Sequence, residues 1–304
     1  MTNRRAVVGL DVGGTKTACG LFLDNGEALY HKTVPTSQES AAASIGQIAS
    51  LIDEAIAASP KDVVVAGAGV IVPGWVNHKA HTVWAPNIEG WDHLPLRQML
   101  EKQIPLPLIL ESDRCGYVKG EAWLGAARGL HDVVFLAVGT GIGAGIMIDG
   151  QVVHGHDDLA GAVGWLALNP SFQGAYRQMG CFEAEASGNS IGRKGSSIFG
   201  GEAGAARRVF EAADAGDLCA QGILEEVVAY LGMGVANLVS TLNPEMVVLG
   251  GGVFQSGSSL IEGIRRECVR WAQPFAAERV RIELSLLGEQ AGLLGAARIA
   301  LDNV

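Results

Sequence analysis

Two glycine turns, each placed between two apolar runs, constrain this chain more than any other feature of its sequence. The first turn carries DVGGTKT at 11–17 and stands between apolar runs at 6–10 and 18–23. The second carries GTGIG at 139–143 and is flanked in the same way. Glycines that follow an apolar run predict a strand ending in a tight turn. The repetition predicts an internal duplication of a strand, turn and strand unit.

Both turns have the composition needed to bind nucleotide phosphates. A backbone turn approaches a phosphate closely only where side chains are missing, and its amides must point at the anion. The glycines concerned are Gly13, Gly14, Gly141 and Gly143. Thr15 and Thr140 can add hydroxyl donors, Lys16 can add a positive charge, and Asp11 can hold Mg²⁺ through water molecules. An ordinary hairpin turn is the alternative interpretation of each.

Two other glycine motifs are excluded by spacing. A Walker loop needs lysine directly after its last glycine, whereas Thr15 separates Gly14 from Lys16. The glycine-rich segment at 139–145 continues into an apolar run typical of a strand, whereas the dinucleotide-binding fingerprint opens a helix. The turns therefore predict neither a P-loop nor a Rossmann fold.

Charge and composition narrow the class of partner. The 304 residues carry a formal net charge of −10. Nucleic-acid binding needs a basic surface that displaces counterions, so this charge argues against a nucleic-acid partner. The apolar run at 6–10 is too short for a secretion signal, and no run reaches the length of a membrane span. The five cysteines show no paired spacing. We expect a cytoplasmic protein with reduced thiols and no membrane partner.

The remaining pattern alternates strands with helices. Predicted strands lie at 63–72, which ends in Pro73 and Gly74, at 106–110 and at 246–249; predicted helices lie within 38–59, 224–242 and 292–301. Asp113 follows one of these strands, where active sites of α/β sheets form, and is the candidate base for phosphoryl transfer. Capping of the next helix by Ser112 or Asp113 is the alternative.

Five ordered motifs resemble the ROK family of bacterial sugar kinases and repressors over almost the whole chain. They are DVGGTKT at 11–17, GTGIG at 139–143 with AG at 160–161, GCFE at 180–183 with ASG at 186–188, NP at 243–244 before GGG at 250–252, and AG at 291–292 with GAA at 295–297. The resemblance implies an α/β, actin-like ATPase fold of the duplicated ribonuclease H-like type, with two lobes and a nucleotide cleft between them. We expect one lobe at 1–115 plus 290–304 and the other at 116–289.

The resemblance also implies roles for single positions. It implies ATP with Mg²⁺, and an adenosine contact at Gly250, Gly251 and Gly252, which also suit a strand-to-helix turn. The positions that match the sugar pocket are Gly74, Asn87, Ser112, Asp113, Ala162, Trp165 and Glu183. Asn87 in a surface turn and Glu183 at a helix start are the alternatives for those two residues.

Ala162 and Trp165 depart from the family pattern. Typical members have a glutamate and a histidine there, which read the anomeric side of the sugar, and the histidine also binds a structural zinc. Cys181 alone cannot complete a four-ligand zinc site. We therefore predict no zinc, a buried apolar role for Cys181, and a loop at 166–179 anchored by Trp165, Phe172 and Tyr176. His154 and His156, without cysteine partners, are predicted to be loop residues.

The expected function is transfer of the γ-phosphoryl group of ATP to a hydroxyl of a sugar or sugar-like substrate. The loss of two polar groups at 162 and 165 favours a modified sugar, glycoside or polyol over free glucose. The alternatives are a sugar-binding sensor without catalysis and an actin-like ATPase that phosphorylates no sugar. A homodimer is expected, with a possible interface in the helices between 202 and 242.

Overall fold

The computed structural model describes residues 4–200 and 205–304. Its strands are β1 (Arg4–Val12), β2 (Lys16–Leu23), β3 (Ala28–Pro35), β4 (Val63–Val72), β5 (Trp75–Asn77), β6 (Thr82–Trp84), β7 (Leu108–Ser112), β8 (Val133–Val138), β9 (Ile142–Ile148), β10 (Gln151–Val152), β11 (Met246–Gly250) and β12 (Arg281–Leu284). Its helices are α1 (Ala41–Ala57), α2 (Leu96–Glu101), α3 (Asp113–Leu124), α4 (Tyr176–Met179), α5 (Cys181–Ala186), α6 (Gly188–Phe199), α7 (Ala205–Asp214), α8 (Leu218–Leu242), α9 (Gly252–Ser256), α10 (Leu260–Trp271), α11 (Pro274–Ala277) and α12 (Gln290–Asn303).

The chain divides into two compact units. The first contains Met1–Gly129, Val152–Leu159 and Glu289–Val304, and the second contains Leu130–Gln151 and Ala160–Gly288. A boundary after residue 115, as expected from the sequence, would cut through α3. The structure keeps this helix whole in the first unit, because α3 packs along its length against α12.

The first unit is built on a five-stranded mixed sheet in the order β3-β2-β1-β4-β7. β1, β2 and β3 are antiparallel neighbours, whereas β1, β4 and β7 run parallel. β5 and β6 form a separate hairpin. The parallel strands bring the ends of β1 and β7 to one edge of the sheet, so that the residues that follow them meet there.

The second unit repeats this topology. Its sheet has the order β10-β9-β8-β11-β12, with β8 antiparallel to β9 and parallel to β11, which is in turn parallel to β12. In both units the first two strands form a hairpin closed by one of the glycine turns. The duplication predicted from the two turns is confirmed, and with it the α/β fold.

Alternation along β1 decides which side chains reach each face of the first sheet. Ala6, Val8, Leu10 and Val12 are buried in one apolar cluster together with residues of α1. The intervening Gly9 and Asp11 point to the opposite face, because successive side chains of a strand alternate. α12 covers that face. The same alternation that builds the core therefore places Asp11 beside α12.

Glycines allow α12 to pack directly on backbone. A Cβ at Gly9 would lie 2.7 Å from the carbonyl oxygen of Leu293, and one at Gly69 would collide with that of Ala296. Between the helices, a Cβ at Gly295 would collide with the backbone of Gly116. Larger side chains at these positions would force the helix away from the sheet.

α8 is the one helix in the described part of the chain that is long and apolar enough to cross a membrane, and half of its most apolar window is buried. Its buried positions include Val227, Leu231, Val235 and Leu238, which lie on the helical face predicted from the sequence. A long core helix has the same composition, and α8 packs against α10. The helix ends at Asn243, which adopts a left-handed conformation.

We predict that Gly69→Ala destabilises the protein by about 1–3 kcal/mol or more, because the new methyl group overlaps the backbone of α12. The matched control is Gly46→Ala on α1, where nothing lies within 4 Å of the new atom. This second change should stabilise the protein by roughly 0.5–1 kcal/mol, since alanine favours helix. Urea unfolding of both variants measures the difference. Equal stabilities would contradict the proposed packing.

Candidate active site

Asp11 lies near the end of β1 against the first turn of α12. A Cβ at Gly292 would collide with the Oδ2 atom of Asp11, so only glycine leaves room for this carboxylate. The amino end of a helix carries a partial positive charge, which favours a nearby anion. The carboxylate is therefore held at a fixed place on the sheet edge.

Asp113 is the first residue of α3, directly after β7. Its Oδ1 atom accepts a hydrogen bond from the Arg114 amide at 2.8 Å, and its Oδ2 atom accepts one from the Tyr117 hydroxyl at 3.4 Å. The capping alternative is not borne out, because Ser112 occupies the N-cap position without a side-chain capping hydrogen bond, whereas Asp113 begins the helix and presents a partly buried carboxylate. Tyr117 was not singled out in the sequence, although its spacing of four residues places it on the same helix face.

Both carboxyl groups have raised pKa values. The pKa of Asp11 is raised to about 7, mainly by burial and also by the negative charge of Asp113, whereas Lys16 lowers it. Burial also raises the pKa of Asp113, against the effect of Arg114. Two carboxylates that resist ionisation together are stabilised by a nearby cation. This pair therefore suits Mg²⁺, with Asp11 as its holder.

The first glycine turn is tied down through its carbonyl groups. Thr36 donates to the Thr15 carbonyl from its amide at 3.0 Å and to the Gly13 carbonyl from its hydroxyl at 2.7 Å. The Gln38 side chain donates to the Gly14 carbonyl at 2.5 Å. Within residues 4–200 and 205–304, the amides of Gly14 and Thr15 donate to no acceptor. A turn with occupied carbonyls and unoccupied amides favours an anion.

Lys16 follows on the exposed side of this turn. Its ammonium group pairs with the Glu289 carboxylate at 2.5 Å, and both side chains are mostly exposed. Exposed ion pairs contribute about 0–1 kcal/mol. Lys16 can therefore exchange this partner for a phosphate group at little cost.

Of the predicted sugar-pocket residues in the first unit, Asn87 lies beside the first turn. A Cβ at Gly14 would be 3.2 Å from the Cβ of Asn87, and Gln38 donates to both backbones. Gly74 follows β4 with a positive φ of 88°, and a Cβ there would collide with the Trp84 carbonyl. Ser112 is buried and its hydroxyl donates to the Cys115 sulfur at 3.3 Å.

Glu183 of α5 contacts the second glycine turn. The Oε2 atom of Glu183 accepts the Ile142 amide at 2.8 Å, directly after the turn. The Gly139 carbonyl accepts the amide of Gly188 at 2.7 Å. In the part of the chain that the structure describes, the amides of Thr140 and Gly141 have no acceptor. This turn therefore shares the polarity of the first.

The triple glycine lies next to the second turn. β11 ends at Gly250 and α9 begins at Gly252. Gly251 has a positive φ of 97°, and a Cβ there would collide with the Val138 carbonyl. The Gly252 amide nitrogen lies 3.9 Å from the position of a Cβ on Gly139. Predicted nucleotide contacts far apart in the sequence are thus neighbours within the second unit. Gly143 lies within β9, opposite Ala137.

Comparison with known proteins gives the family of this chain. The ROK family model matches residues 7–303. The chain belongs to the ROK family. It is 32% identical to a glucokinase of Halalkalibacterium halodurans over 311 residues, covering 96% of this chain and 93% of the relative.

Two solved ROK structures resemble this one. The ROK hexokinase of Thermus thermophilus has 33% sequence identity and a TM-score of 0.84, covering 97% of this chain and 98% of its own. A ROK family glucokinase of Streptomyces griseus, in complex with glucose and AMPPNP, has 29% identity and a TM-score of 0.77, covering 98% and 100%. The actin-like ATPase fold expected from the motifs is confirmed.

The segment in which this ROK protein departs from the family motif packs beside Glu183. Ala162 precedes a short 3₁₀ turn at Val163–Trp165, and a Cβ at Gly164 would be 3.1 Å from the Cβ of Glu183. Ala162 and Trp165 are both exposed, Trp165 by 56%. The prediction that Trp165 anchors the following loop is wrong, because its ring is turned to solvent rather than into a core.

Tyr176, which was also predicted as an anchor of this loop, does have that role. It is buried with Cys181 and Ala184, its hydroxyl donates to Glu185, and Asn169 donates to it at 3.1 Å. The buried position of Cys181 is confirmed. The prediction that Phe172 is also an anchor is wrong, because its side chain is 68% exposed, with an edge-to-face contact to Tyr176 at 5.9 Å between ring centres. The absence of a structural zinc at the family position near Trp165 and Cys181 stays a prediction.

Thr36 and Gln38 were missed by sequence reasoning. They follow β3, an edge strand with no glycine motif, and reach the first turn only because β3 pairs with β2. Nothing in their local sequence indicates this contact. The antiparallel register is the signal that could have found them.

We predict that Asp11→Asn stabilises the metal-free protein at pH 8. Because the pKa of Asp11 is raised to about 7 by folding, its protonation stabilises the native state fully below about pH 4, and this stabilisation is lost as pH rises through 7. Asparagine carries no charge at any of these pH values. The free energy of unfolding of the variant should therefore exceed that of the wild type by about 1–3 kcal/mol at pH 8, and the difference should shrink towards pH 4.

Urea unfolding in EDTA at several pH values measures this effect. Asp92→Asn is the control, because the Asp92 side chain is 83% exposed and should show no such dependence. A variant at position 11 that is no more stable than the wild type at pH 8 would argue against a desolvated carboxylate.

Proposed function

We propose that this chain is an ATP-dependent carbohydrate kinase. The observation that carries the proposal is the pairing of Asp11 and Asp113 in the unit that also holds the first glycine turn, whose amides favour an anion. Phosphoryl transfer needs these two kinds of group, one to neutralise phosphate charge and one to accept the hydroxyl proton. The relatives named glucokinase and hexokinase support the same reaction.

The proposed nucleotide contacts in each unit, taken by itself, are glycine-rich turns. In the first unit, Gly13, Gly14, Thr15 and Lys16 bind phosphate oxygens. In the second unit, the turn at Thr140 and Gly141 does the same, and Gly250, Gly251 and Gly252 contact the adenosine. Mg²⁺, when bound near Asp11 through its water shell, neutralises charge on the transferred group. Glycine at these positions lets the backbone approach the nucleotide.

Asp113 acts as the general base. Its hydrogen bonds with the Arg114 amide and the Tyr117 hydroxyl fix the direction of the carboxylate. Burial raises its pKa from the ordinary value for aspartate, which makes it a stronger proton acceptor while it remains ionised above that pKa. A base with a pKa closer to the working pH is more effective in catalysis.

We predict that Asp113→Asn lowers kcat by about 10² to 10⁴-fold, because the amide cannot accept the proton. The KM for ATP should change only a few-fold. In the wild type, kcat/KM should fall as the pH drops, since both carboxyl groups have raised pKa values. The control is Asp53→Asn, at an exposed position on α1. A coupled assay of ADP release measures kcat and KM of the variant and the control, and kcat/KM of the wild type against pH. A variant with full kcat would exclude Asp113 as the base.

The nature of the acceptor is the finer part of the proposal. The names of the relatives make free glucose a strong candidate. Against it stands the change at 162 and 165, where the glutamate and histidine typical of the family are replaced by Ala162 and Trp165. A site that loses two hydrogen-bonding groups discriminates less for the hydroxyl that they bound. The proposed acceptor is a modified sugar, a glycoside or a polyol.

We predict that a 1-substituted glycoside or a polyol has a higher kcat/KM than free glucose in the wild type. The double variant Ala162→Glu with Trp165→His should raise the kcat/KM for glucose relative to that substrate by about tenfold or more. Glucose as the best wild-type acceptor would refute the proposed preference and leave the kinase assignment intact. Sugar binding without ADP release would indicate a sensor, and ADP release that ignores sugar would indicate an ATPase.

The assembly and the cellular location remain proposals. A homodimer is proposed, with an interface in the helices between 202 and 242. This interval begins at Glu202, which lies outside the described residues, and continues through α7 and α8. The proposed location is the cytoplasm.

A further inference from the structure

Three side chains from distant parts of the sequence converge in the first unit. His78 follows β5, Glu111 lies in β7, and His154 follows β10. One nitrogen or oxygen atom from each lies within 4.8 Å of the other two. The Nε2 atom of His154 is 2.8 Å from the Oε1 atom of Glu111, and the Nε2 atom of His78 is 3.5 Å from the same oxygen. All three side chains are partly buried.

The surroundings of His78 determine how its ring is used. Its Nδ1 atom is 3.0 Å from the Oδ1 atom of Asp158, whose second oxygen accepts the His78 amide at 2.9 Å. A carboxylate at this distance accepts a hydrogen bond from the Nδ1–H, so the neutral ring presents a lone pair at Nε2. That lone pair faces the Glu111 carboxylate and the Leu110 carbonyl, 3.3 Å away. Three acceptors that face one another need a cation or an additional proton.

The second carboxylate oxygen of Glu111, Oε2, is buried. It has no hydrogen-bond partner among the described residues. A buried carboxylate oxygen without a partner is unfavourable by about 1–3 kcal/mol or more. A cation bound by the carboxylate and the two imidazole nitrogens would compensate the buried charge of Glu111.

We propose that His78, Glu111 and His154 form a binding site for a divalent transition metal of the zinc type. Two imidazoles and one carboxylate are a common donor set for such metals, whereas Mg²⁺ prefers oxygen donors. Bonds of about 2.0–2.1 Å in tetrahedral geometry separate ligand atoms by roughly 3.3 Å. The separations of 2.8 and 3.5 Å lie on either side of this value.

Asp158 orients one ligand in this site. Histidines that bind metal commonly donate their other ring N–H to a carboxylate, which fixes the tautomer and strengthens the ligand. The contact between His78 and Asp158 has this arrangement. The three proposed ligands leave a fourth position for water. Glu111 lies two residues before Asp113, so the metal would hold the end of β7.

The competing occupant is a proton. Hydrogen bonding to Glu111 raises the pKa of His78 to about 9, and an imidazolium would also satisfy the acceptors around it. In that case the cluster is an ion pair of two histidines with a glutamate and has no affinity for metal. The two cases differ in metal binding, which can be measured without any kinase assay.

The test is titration of the EDTA-treated, dialysed wild-type protein with Co²⁺ alone, without nucleotide or sugar. We expect one Co²⁺ per chain, seen as visible absorption bands that Zn²⁺ abolishes. His78→Gln and His154→Gln should each weaken binding at least 100-fold, and Asp158→Asn about 10 to 100-fold. His156→Gln is the matched control, because this side chain is 87% exposed and lies two residues from His154.

Crystals of the wild type soaked in Zn²⁺ give a second measurement that does not depend on variants that fold. An anomalous peak among the three side chains supports the site. The proposal is overturned if the wild type binds no Co²⁺ and shows no such peak, or if folded variants at 78 and 154 bind as tightly as the wild type. Loss of the proposed kinase activity would not change either result.

Discussion

The first unit depends on the direct packing of α12 against backbone. Gly69 of β4 faces Ala296, and Gly116 of α3 faces Gly295, so that helix and sheet approach at distances that a side chain would prevent. Gly292, in the same helix, leaves the space filled by the Asp11 carboxylate. The last helix of the chain thereby sets the positions of the first strand and of α3. Both proposed catalytic carboxylates lie on elements that touch it.

This packing places two buried carboxyl groups in the same unit as a turn whose amides favour an anion. Burial raises the pKa of both Asp11 and Asp113, and the negative charge of Asp113 adds to the effect on Asp11. The first glycine turn has its carbonyls occupied by Thr36 and Gln38, and its amides favour an anion. Sites built for chemistry often retain such unfavourable terms, and the rest of the fold compensates for them. A nucleotide with its cation would relieve both.

Much of this arrangement could be predicted because it depends on local pattern. The glycine turns, the strand β4 that ends before Pro73 and Gly74, and the buried face of α8 follow from short-range rules of turns and periodicity. The exposure of Trp165 could not be predicted, because an apolar side chain can lie in a core or on the surface. Its neighbours in the fold determine which of the two occurs. The contacts of Thr36 and Gln38 were equally hidden, since they depend on the register of β3.

The two hairpins and the carboxylate after β7 could be predicted, because each is encoded within a few consecutive residues. The fold was needed to show that Asp11 and Asp113 share a sheet edge, that Thr36 and Gln38 occupy the carbonyls of the first turn, and that Gly250, Gly251 and Gly252 lie beside the second turn. It also brought His78 and His154 to Glu111, across 76 positions of chain. Contacts of this kind arise from strand order and helix packing, which no local sequence pattern specifies.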